Sequence, residues 1–199
     1  MKNIVEIIIK DLVLSIYPGL MASFVFAVLF MAVYNYALKM GVKSIIREWI
    51  DSFKNDRKFR SKFLFAVYIF LVFTKTVFFR SYQGSPIANV WGYWHMYTEE
   101  GKINTELFEN FILFVPLPVC VFFAYPKRIF GRKRRKFFTT VLKGIEISFA
   151  VSCLIEIIQM FFKLGTFQIS DLVFNTLGGL FGSILYYVYI KLLHKRKKH

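Results

Sequence analysis

Residues suited to catalysis or metal binding are scarce in this chain. Its 199 residues include two cysteines, three histidines and 12 acidic side chains, against 27 lysines and arginines. Cys120 and Cys153 both lie inside apolar runs, so the sequence predicts no disulfide framework. His95 has no second histidine or cysteine at metal-ligand spacing, and we expect no metal site. No phosphate-binding loop is present either, and we expect no cofactor.

Apolar residues, by contrast, make up 56% of the sequence, and aromatic residues make up 20%. The mean hydropathy of +0.49 is typical of a membrane protein rather than a soluble domain. The net charge of +15 arises from basic residues that are confined to short blocks between long uncharged runs. Such blocks are typical of loops beside an anionic leaflet. Nucleic-acid binding is not favoured, because no basic helix or aromatic–basic platform occurs outside these blocks.

The apolar periodicity predicts an all-α, polytopic membrane helical bundle of about five transmembrane helices with an N-terminal interfacial helix. Residues 1–16 carry Lys2, Glu6 and Lys10 along one face of that amphipathic helix. Pro18 and Gly19 are expected to end it before the first span. The predicted spans are 20–38, 63–79, 107–125, 137–162 and 171–193. Their lengths are close to the ~20 residues that a bilayer core requires.

The distribution of basic residues among the connections predicts the orientation. Eight lysines and arginines lie in residues 39–62, seven in 127–136 and five in 191–198, so the positive-inside rule makes these connections cytoplasmic. We therefore expect a multi-pass protein of the cell membrane with its N-terminus outside and its C-terminus in the cytoplasm. The connection at 80–106 is then external. Its many aromatic residues leave open whether it lies folded on the outer surface or dips partly inward.

Polar residues recur at helical spacing in the last two predicted spans. Ser148, Ser152, Glu156, Gln159 and Lys163 form one stripe, and Asp171, Asn175, Gly178 and Gly182 form another. The connection at 163–170 is short enough to make the two helices antiparallel neighbours, so we expect the stripes to face each other near the external surface. Gly178 and Gly182, with Gly179 beside them, indicate close helix packing.

Glu156 is the most informative of these side chains. An ionisable residue inside a span costs ~2.5 to 3.5 kcal/mol, and such residues usually face a cavity or a partner. Arg80, at the outer end of the second span, is the predicted counter-charge of Glu156, with Lys75 and Lys163 as further cations. Lys75 itself is expected to extend its ammonium group to the lipid headgroups.

These residues also carry a resemblance to a known family. The patterns Glu156-x-x-Gln159 and Asp171-x-x-x-Asn175-Thr176-x-Gly178-Gly179-x-x-Gly182, with Arg80 before the external connection and Asn110-Phe-Ile-Leu-Phe114-Val-Pro116 after it, resemble the VanZ-like family of bacterial membrane proteins. We accordingly divide the chain into three parts. Residues 1–61 hold the amphipathic helix, the first span and a basic cytoplasmic loop, 62–193 form a VanZ-like four-span membrane domain, and 194–199 form a basic cytoplasmic tail.

The resemblance implies a membrane protein of a Gram-positive bacterium that contributes to low-level resistance to teicoplanin-type glycopeptides. From the polar residues we predict an outward-facing ligand-binding site of Arg80, Asn110, Glu156, Gln159, Asp171 and Asn175. Arg80 would contact a phosphate or carboxylate, and the amides would fix the orientation of the ligand. The expected partners are a membrane lipid, a lipid-linked wall precursor or a lipoglycopeptide.

Two further functions stay open at this point. One is a membrane enzyme acting on a lipid-linked substrate, with Glu156 or Asp171 as general acid or base. No nucleophile–base pair accompanies these carboxylates, so the sequence favours a protein that is not an enzyme. The other is a small transporter, although inverted repeats and broken helices at the midplane are not visible in the sequence.

Overall fold

The computed structural model describes residues 2–36, 42–78, 80, 82, 84–95, 97, 103–131 and 136–196. Within them the chain forms eight α-helices, namely α1 Lys2–Tyr36, α2 Val42–Asn55, α3 Arg57–Phe73, α4 Glu106–Phe114, α5 Pro116–Ala124, α6 Pro126–Phe130, α7 Phe137–Phe162 and α8 Ile169–Arg196, and a π-helical turn at Thr74–Phe78. Five helical segments are long and apolar enough to cross a membrane: Ile4–Val33, Arg57–Phe78, Glu106–Ala124, Phe137–Phe162 and Ile169–Arg196. The predicted all-α, five-span class is confirmed.

α1 continues through Pro18, so the prediction of a separate N-terminal helix that ends at Pro18 and Gly19 is wrong. Proline removes one backbone donor and leaves the Leu14 carbonyl without its helical partner, a loss that membrane helices tolerate. On the other side of Pro18, the Ser23 hydroxyl donates to the Gly19 carbonyl at 2.6 Å and lies 3.2 Å from the Thr74 hydroxyl. A Cβ at Gly19 would lie 2.7 Å from Thr74 Oγ1. The Pro-Gly pair therefore permits a close crossing of α1 with the π-helical turn.

The basic segment 39–62, predicted as a loop, contains α2 and the start of α3. Trp49 of α2 has its ring centroid 5.3 Å from that of Phe53, 5.7 Å from Phe59 and 5.3 Å from Phe63. Asp56 caps α3, since its side chain accepts a 2.7 Å hydrogen bond from the backbone amide two residues later. Aromatic packing thus holds α2 against the end of the second span that lies opposite Arg80.

α8 packs against α7 on one side and against α4 and α5 on the other, and its glycines allow direct backbone contact. A Cβ at Gly178 would lie 2.2 Å from the Phe111 carbonyl oxygen, and one at Gly182 would lie 1.9 Å from the Val115 carbonyl oxygen. A Cβ at Gly179 would lie 1.9 Å from the Ser148 hydroxyl oxygen and 3.3 Å from the Gly144 carbonyl oxygen, both of α7. Because no side chain fits at these three positions, the polar first turns of α8 are brought within reach of both neighbours.

Candidate functional site

Arg80 lies where the π-helical turn, α4, α8 and the α7–α8 turn meet at one end of the bundle. Its Nη2 atom is 3.5 Å from Glu106 Oε1 and 4.0 Å from Asp171 Oδ2. The Arg80 side chain is 30% exposed, whereas that of Asp171 is 5% exposed. A Cβ at Gly165 would lie 3.6 Å from Arg80 Nη1, so the guanidinium also lies against the α7–α8 turn. Arg80 therefore connects a buried carboxylate of α8 with the open end of the bundle.

Glu156 is buried, and its predicted counter-charge Arg80 acts on it from a distance without forming a direct ion pair with it. Its Oε2 atom accepts a 3.0 Å hydrogen bond from the Gln168 backbone amide, and Arg80 pairs with Glu106 and Asp171. The α7–α8 turn explains the difference, since it carries the Gln168 amide back over the carboxylate. Glu156 still interacts electrostatically with Asp171 and Arg80.

The two lysines predicted as further cations of Glu156 lie elsewhere. Lys75 Nζ is 2.8 Å from Glu109 Oε2, and the two side chains are only 14% and 16% exposed. The expectation that Lys75 extends to the headgroups stays a prediction, and the structure adds an ion pair with a carboxylate of α4. Lys163 is exposed and ends α7 in the left-handed conformation, with φ at 54°.

The amide side chains of α7 and α8 cross-link the bundle. Gln159 Nε2 donates to the Thr76 carbonyl of the π-helical turn at 2.8 Å, and Asn175 Nδ2 donates to Ser152 Oγ at 2.8 Å. The second bond joins the polar stripe of α8 to that of α7, so the stripes face each other. Both amides lie inside the bundle, where they fix the relative positions of the helices.

Three buried polar atoms of the predicted site residues lack a hydrogen-bond partner among the described residues: Asn110 Nδ2, Asp171 Oδ1 and Asn175 Oδ1. The Asn110 side chain lies within weak hydrogen-bonding range of the Asp171 carboxyl, but no hydrogen bond of ordinary geometry joins the two. A buried polar atom without a partner costs ~1 to 3 kcal/mol. Atoms of this kind can be satisfied by a bound polar ligand or by water.

An open cavity of about 380 Å³ lies beside Arg80. Its lining consists of Leu14, Ser15, Pro18, Lys75, Arg80, Thr105, Glu106, Glu109 and Asn110. Two of the six predicted ligand-binding residues, Arg80 and Asn110, belong to this lining, and the other four are buried in the bundle. The sequence reasoning missed the Lys75–Glu109 pair as part of the site, although two charges near the ends of adjacent spans were a usable signal. Nothing in the sequence pattern pointed to the α1 residues.

The connection between the second and third spans folds over the α7–α8 turn. Its Pro86 carbonyl accepts a 2.8 Å hydrogen bond from the Phe167 backbone amide. Gly92, at φ 73°, lies so close to Ser170 that a Cβ would be 1.9 Å from the Ser170 hydroxyl. Residues 84–95 therefore lie folded on the end of the bundle. This agrees with the first of the two alternatives that the sequence left open.

Comparison with known proteins adds one finding to this geometry. No curated protein and no solved structure matches the chain significantly. The family model described as VanZ/LLP1 matches residues 63–191, which include Arg80, Asn110 and both polar stripes and leave out α1 and α2. This match covers more than half of the chain, and the protein therefore belongs to the VanZ/LLP1 family.

Proposed function

We propose that the protein binds the polar headgroup of an amphiphile at the outer surface of the cell membrane and thereby contributes to resistance to teicoplanin-type lipoglycopeptides. The candidate ligands are a membrane lipid, a lipid-linked wall precursor and the lipoglycopeptide itself. All three combine a polar head with an apolar tail, and all three can place that head at the outer surface of the membrane.

The half-buried position of Arg80 in the wall of the open cavity is the observation that supports this proposal. A guanidinium binds phosphate and carboxylate groups through two parallel hydrogen bonds. Asp171 and Glu106 lie on one side of it at 4.0 and 3.5 Å, and they restrict its orientation while part of its surface stays open. Asn110 belongs to the same wall, and its Nδ2 atom is a buried donor that makes no hydrogen bond of ordinary geometry among the described residues.

The buried residues of the predicted site have a positioning role in this proposal. Glu156 and Gln159 hold α7 against the α7–α8 turn and the π-helical turn. Asn175 holds α8 against α7. Asp171, in the first turn of α8, then contacts Arg80. The two polar stripes thus keep the arginine fixed, and a preorganised site loses less entropy when it binds a ligand.

Binding of teicoplanin, lipid II and undecaprenyl phosphate to the purified protein tests the proposal. Replacing Arg80→Gln should weaken binding of the true ligand about tenfold to a hundredfold, because a hydrogen bond to a charged group contributes ~1.5 to 3 kcal/mol. Lys163→Asn is the matched control, since it removes an exposed positive charge at the same end of the bundle. Asparagine also tolerates the left-handed conformation of residue 163.

The same variants can be compared for teicoplanin susceptibility in cells at equal protein levels. Arg80→Gln should lower resistance, and Lys163→Asn should leave it unchanged. Normal resistance and normal binding in Arg80→Gln would overturn the proposal. Conversion of a lipid-linked precursor to product by the purified protein, abolished by Asp171→Asn, would replace it with the enzyme alternative.

A further inference from the structure

We infer that the cavity beside Arg80 takes a zwitterionic amphiphile, whose headgroup carries one anionic and one cationic group and whose apolar tail lies along α1. The inference rests on the proposed function and narrows it. Among lipid and drug headgroups, it selects those that carry both charges over those that are purely anionic.

The charges of the cavity wall are balanced. Lys75 pairs with Glu109 at 2.8 Å, and Arg80 pairs with Glu106 at 3.5 Å. A purely anionic headgroup would meet a carboxylate beside each cation, and like charges brought together oppose binding. A zwitterion can instead place its anionic group on the guanidinium and its cationic group beside a carboxylate.

The two ion pairs differ in a way that identifies the one that a ligand can separate. The Lys75–Glu109 pair is short, and its side chains are 14% and 16% exposed. The Arg80–Glu106 pair is longer, and its side chains are 30% and 36% exposed. An exposed, extended ion pair contributes little to stability, so its separation costs little. The ligand's charged groups are therefore expected at Arg80 and Glu106.

Asn110 supplies an additional contact for the anionic group. Asn110 belongs to the cavity lining, and its Nδ2 atom is buried and makes no hydrogen bond of ordinary geometry among the described residues. An amide N–H can donate only to an acceptor, which a phosphate or carboxylate provides and an ammonium does not. The anionic group is thus expected between Arg80 and Asn110, with the cationic group on the Glu106 side.

α1 supplies the apolar wall of the cavity through Leu14 and Pro18, with Ser15 between them. This helix lies outside the residues that match the family model. Leu14 is 60% exposed, and the neighbouring Val13 is 56% exposed, so the wall continues into an apolar surface of α1. A tail that leaves the cavity along this surface buries apolar area on both the ligand and the helix. This is the reason for assigning an amphiphile rather than a free zwitterion.

The test compares two lysolipids with the same acyl chain in a neutral detergent. Lysophosphatidylethanolamine carries both charges, and lysophosphatidylglycerol carries only the negative one. Native mass spectrometry of the full-length protein should show at least about tenfold tighter binding of the zwitterionic lipid, a difference of ~1.4 kcal/mol. Equal binding, tighter binding of the anionic lipid, or no binding of either would overturn the inference.

Two variants test the assigned positions. Glu106→Gln removes the more exposed of the two carboxylates beside Arg80, so it should reduce the preference by strengthening binding of lysophosphatidylglycerol, while Asp171 and Glu109 still oppose an anion. Ser15→Trp fills the cavity from α1 and should weaken lysophosphatidylethanolamine binding about tenfold or more. Tyr17→Trp is the matched control on the same helix, because Tyr17 is 72% exposed and is not part of the cavity lining. Equal effects of the two tryptophan variants would show that α1 is not part of the binding site.

Arg80→Gln separates a failure of this inference from a failure of the proposed function. If both lysolipids bind equally well and both lose affinity in Arg80→Gln, the selectivity is wrong while the headgroup site stands. If Arg80→Gln changes the binding of neither lysolipid, nor of teicoplanin or the wall precursors, the inference and the proposed function both fail.

Discussion

The buried carboxylate of Glu156 accepts a backbone hydrogen bond and also carries a charge near the site. Substitutions can separate these two roles. Its Oε2 atom accepts the Gln168 amide hydrogen at 3.0 Å, while its charge lies near those of Asp171 and Arg80. Glutamine keeps an acceptor oxygen and loses the charge, whereas alanine loses both. Substitutions at this position therefore distinguish a contact that holds the α7–α8 turn from a charge that acts on the site.

We predict that Glu156→Ala lowers the free energy of unfolding by about 1 to 3 kcal/mol, because the Gln168 amide is left buried without a partner. Glu156→Gln should keep most of this stability. Thermal unfolding of the purified protein in a neutral detergent measures both effects. Ile157→Ala, at an exposed neighbouring position on α7, is the control. Equal destabilisation by the glutamine and alanine variants would show that the charge, not the hydrogen bond, stabilises the turn.

The glycines of α8 give a second prediction at the scale of single residues. A Cβ at Gly178 or Gly182 would lie 2.2 or 1.9 Å from a backbone oxygen, which cannot move as a flexible side chain can. Gly178→Ala and Gly182→Ala should therefore each destabilise the protein by about 1 to 3 kcal/mol or more through overpacking. Gly84→Ala is the control, since a Cβ there would have no atom within 4 Å. Unchanged thermal unfolding of both α8 variants would contradict the close packing.

The sequence was enough to predict which polar residues of the last two spans face each other, but not which carboxylate pairs with Arg80. Helical spacing was enough to place Glu156 and Asp171 on facing stripes. Three carboxylates, those two and Glu106, were within reach of Arg80 in principle. The choice among them depends on the α7–α8 turn, whose Gly165 has φ at 144° and whose backbone amide at residue 168 engages Glu156. Such backbone geometry leaves no periodic signal in a sequence.

At the scale of whole elements, the long apolar runs were enough to predict the five spans, because length and hydropathy alone identify them. Proline was a less reliable marker of helix ends. Pro18 lies within α1, whereas Pro116 begins a new helical segment after Val115. Both prolines lack an N–H, and the sequence pattern alone does not distinguish a proline inside a membrane helix from one that begins a new segment. The sequence analysis missed α2 because it lies in a basic segment, although the apolar residues of this helix recur at helical spacing.

The corner between α2 and α3 is held by Arg60, which donates to the Phe53 and Lys54 carbonyls at 3.0 and 2.7 Å. These carbonyls belong to the last turn of α2, where helix hydrogen bonding is incomplete. Arg60→Leu should therefore fray this turn at a cost of about 1 kcal/mol. Hydrogen exchange should become faster at the end of α2 and stay unchanged in α7.

Lys58→Leu is the control for Arg60→Leu, because it removes the same charge from an exposed position on the same turn of α3. Faster exchange in both variants would attribute the effect to net charge near the membrane surface. Faster exchange in the Arg60 variant alone would attribute it to the two carbonyl contacts.

At the scale of the whole molecule, the cavity and the α2–α3 corner lie at opposite ends of the bundle. Arg80 and residues 84–95 lie at the end where α8 begins, and the α2–α3 corner lies at the end where α8 finishes. The family match includes the four later spans and leaves out α1, yet α1 contributes three residues to the cavity lining. The site is therefore assembled from the family domain and from a helix outside the matched region.

The proposed function requires the Arg80 end to face the cell exterior, and labelling of single cysteines tests this orientation. In a Cys120→Ala, Cys153→Ala background, Gly84→Cys should react with a membrane-impermeant maleimide on intact cells. Lys54→Cys and His194→Cys, both at exposed positions of the opposite end, should react only after permeabilisation. The physical reason is the concentration of lysine and arginine in the connections of that end, which favours their retention in the cytoplasm. The reverse labelling pattern would show that the cavity faces the cytoplasm, where a drug or wall precursor in the outer leaflet cannot reach it. The proposed function would then fail, while the fold and the ion pairs would be unaffected.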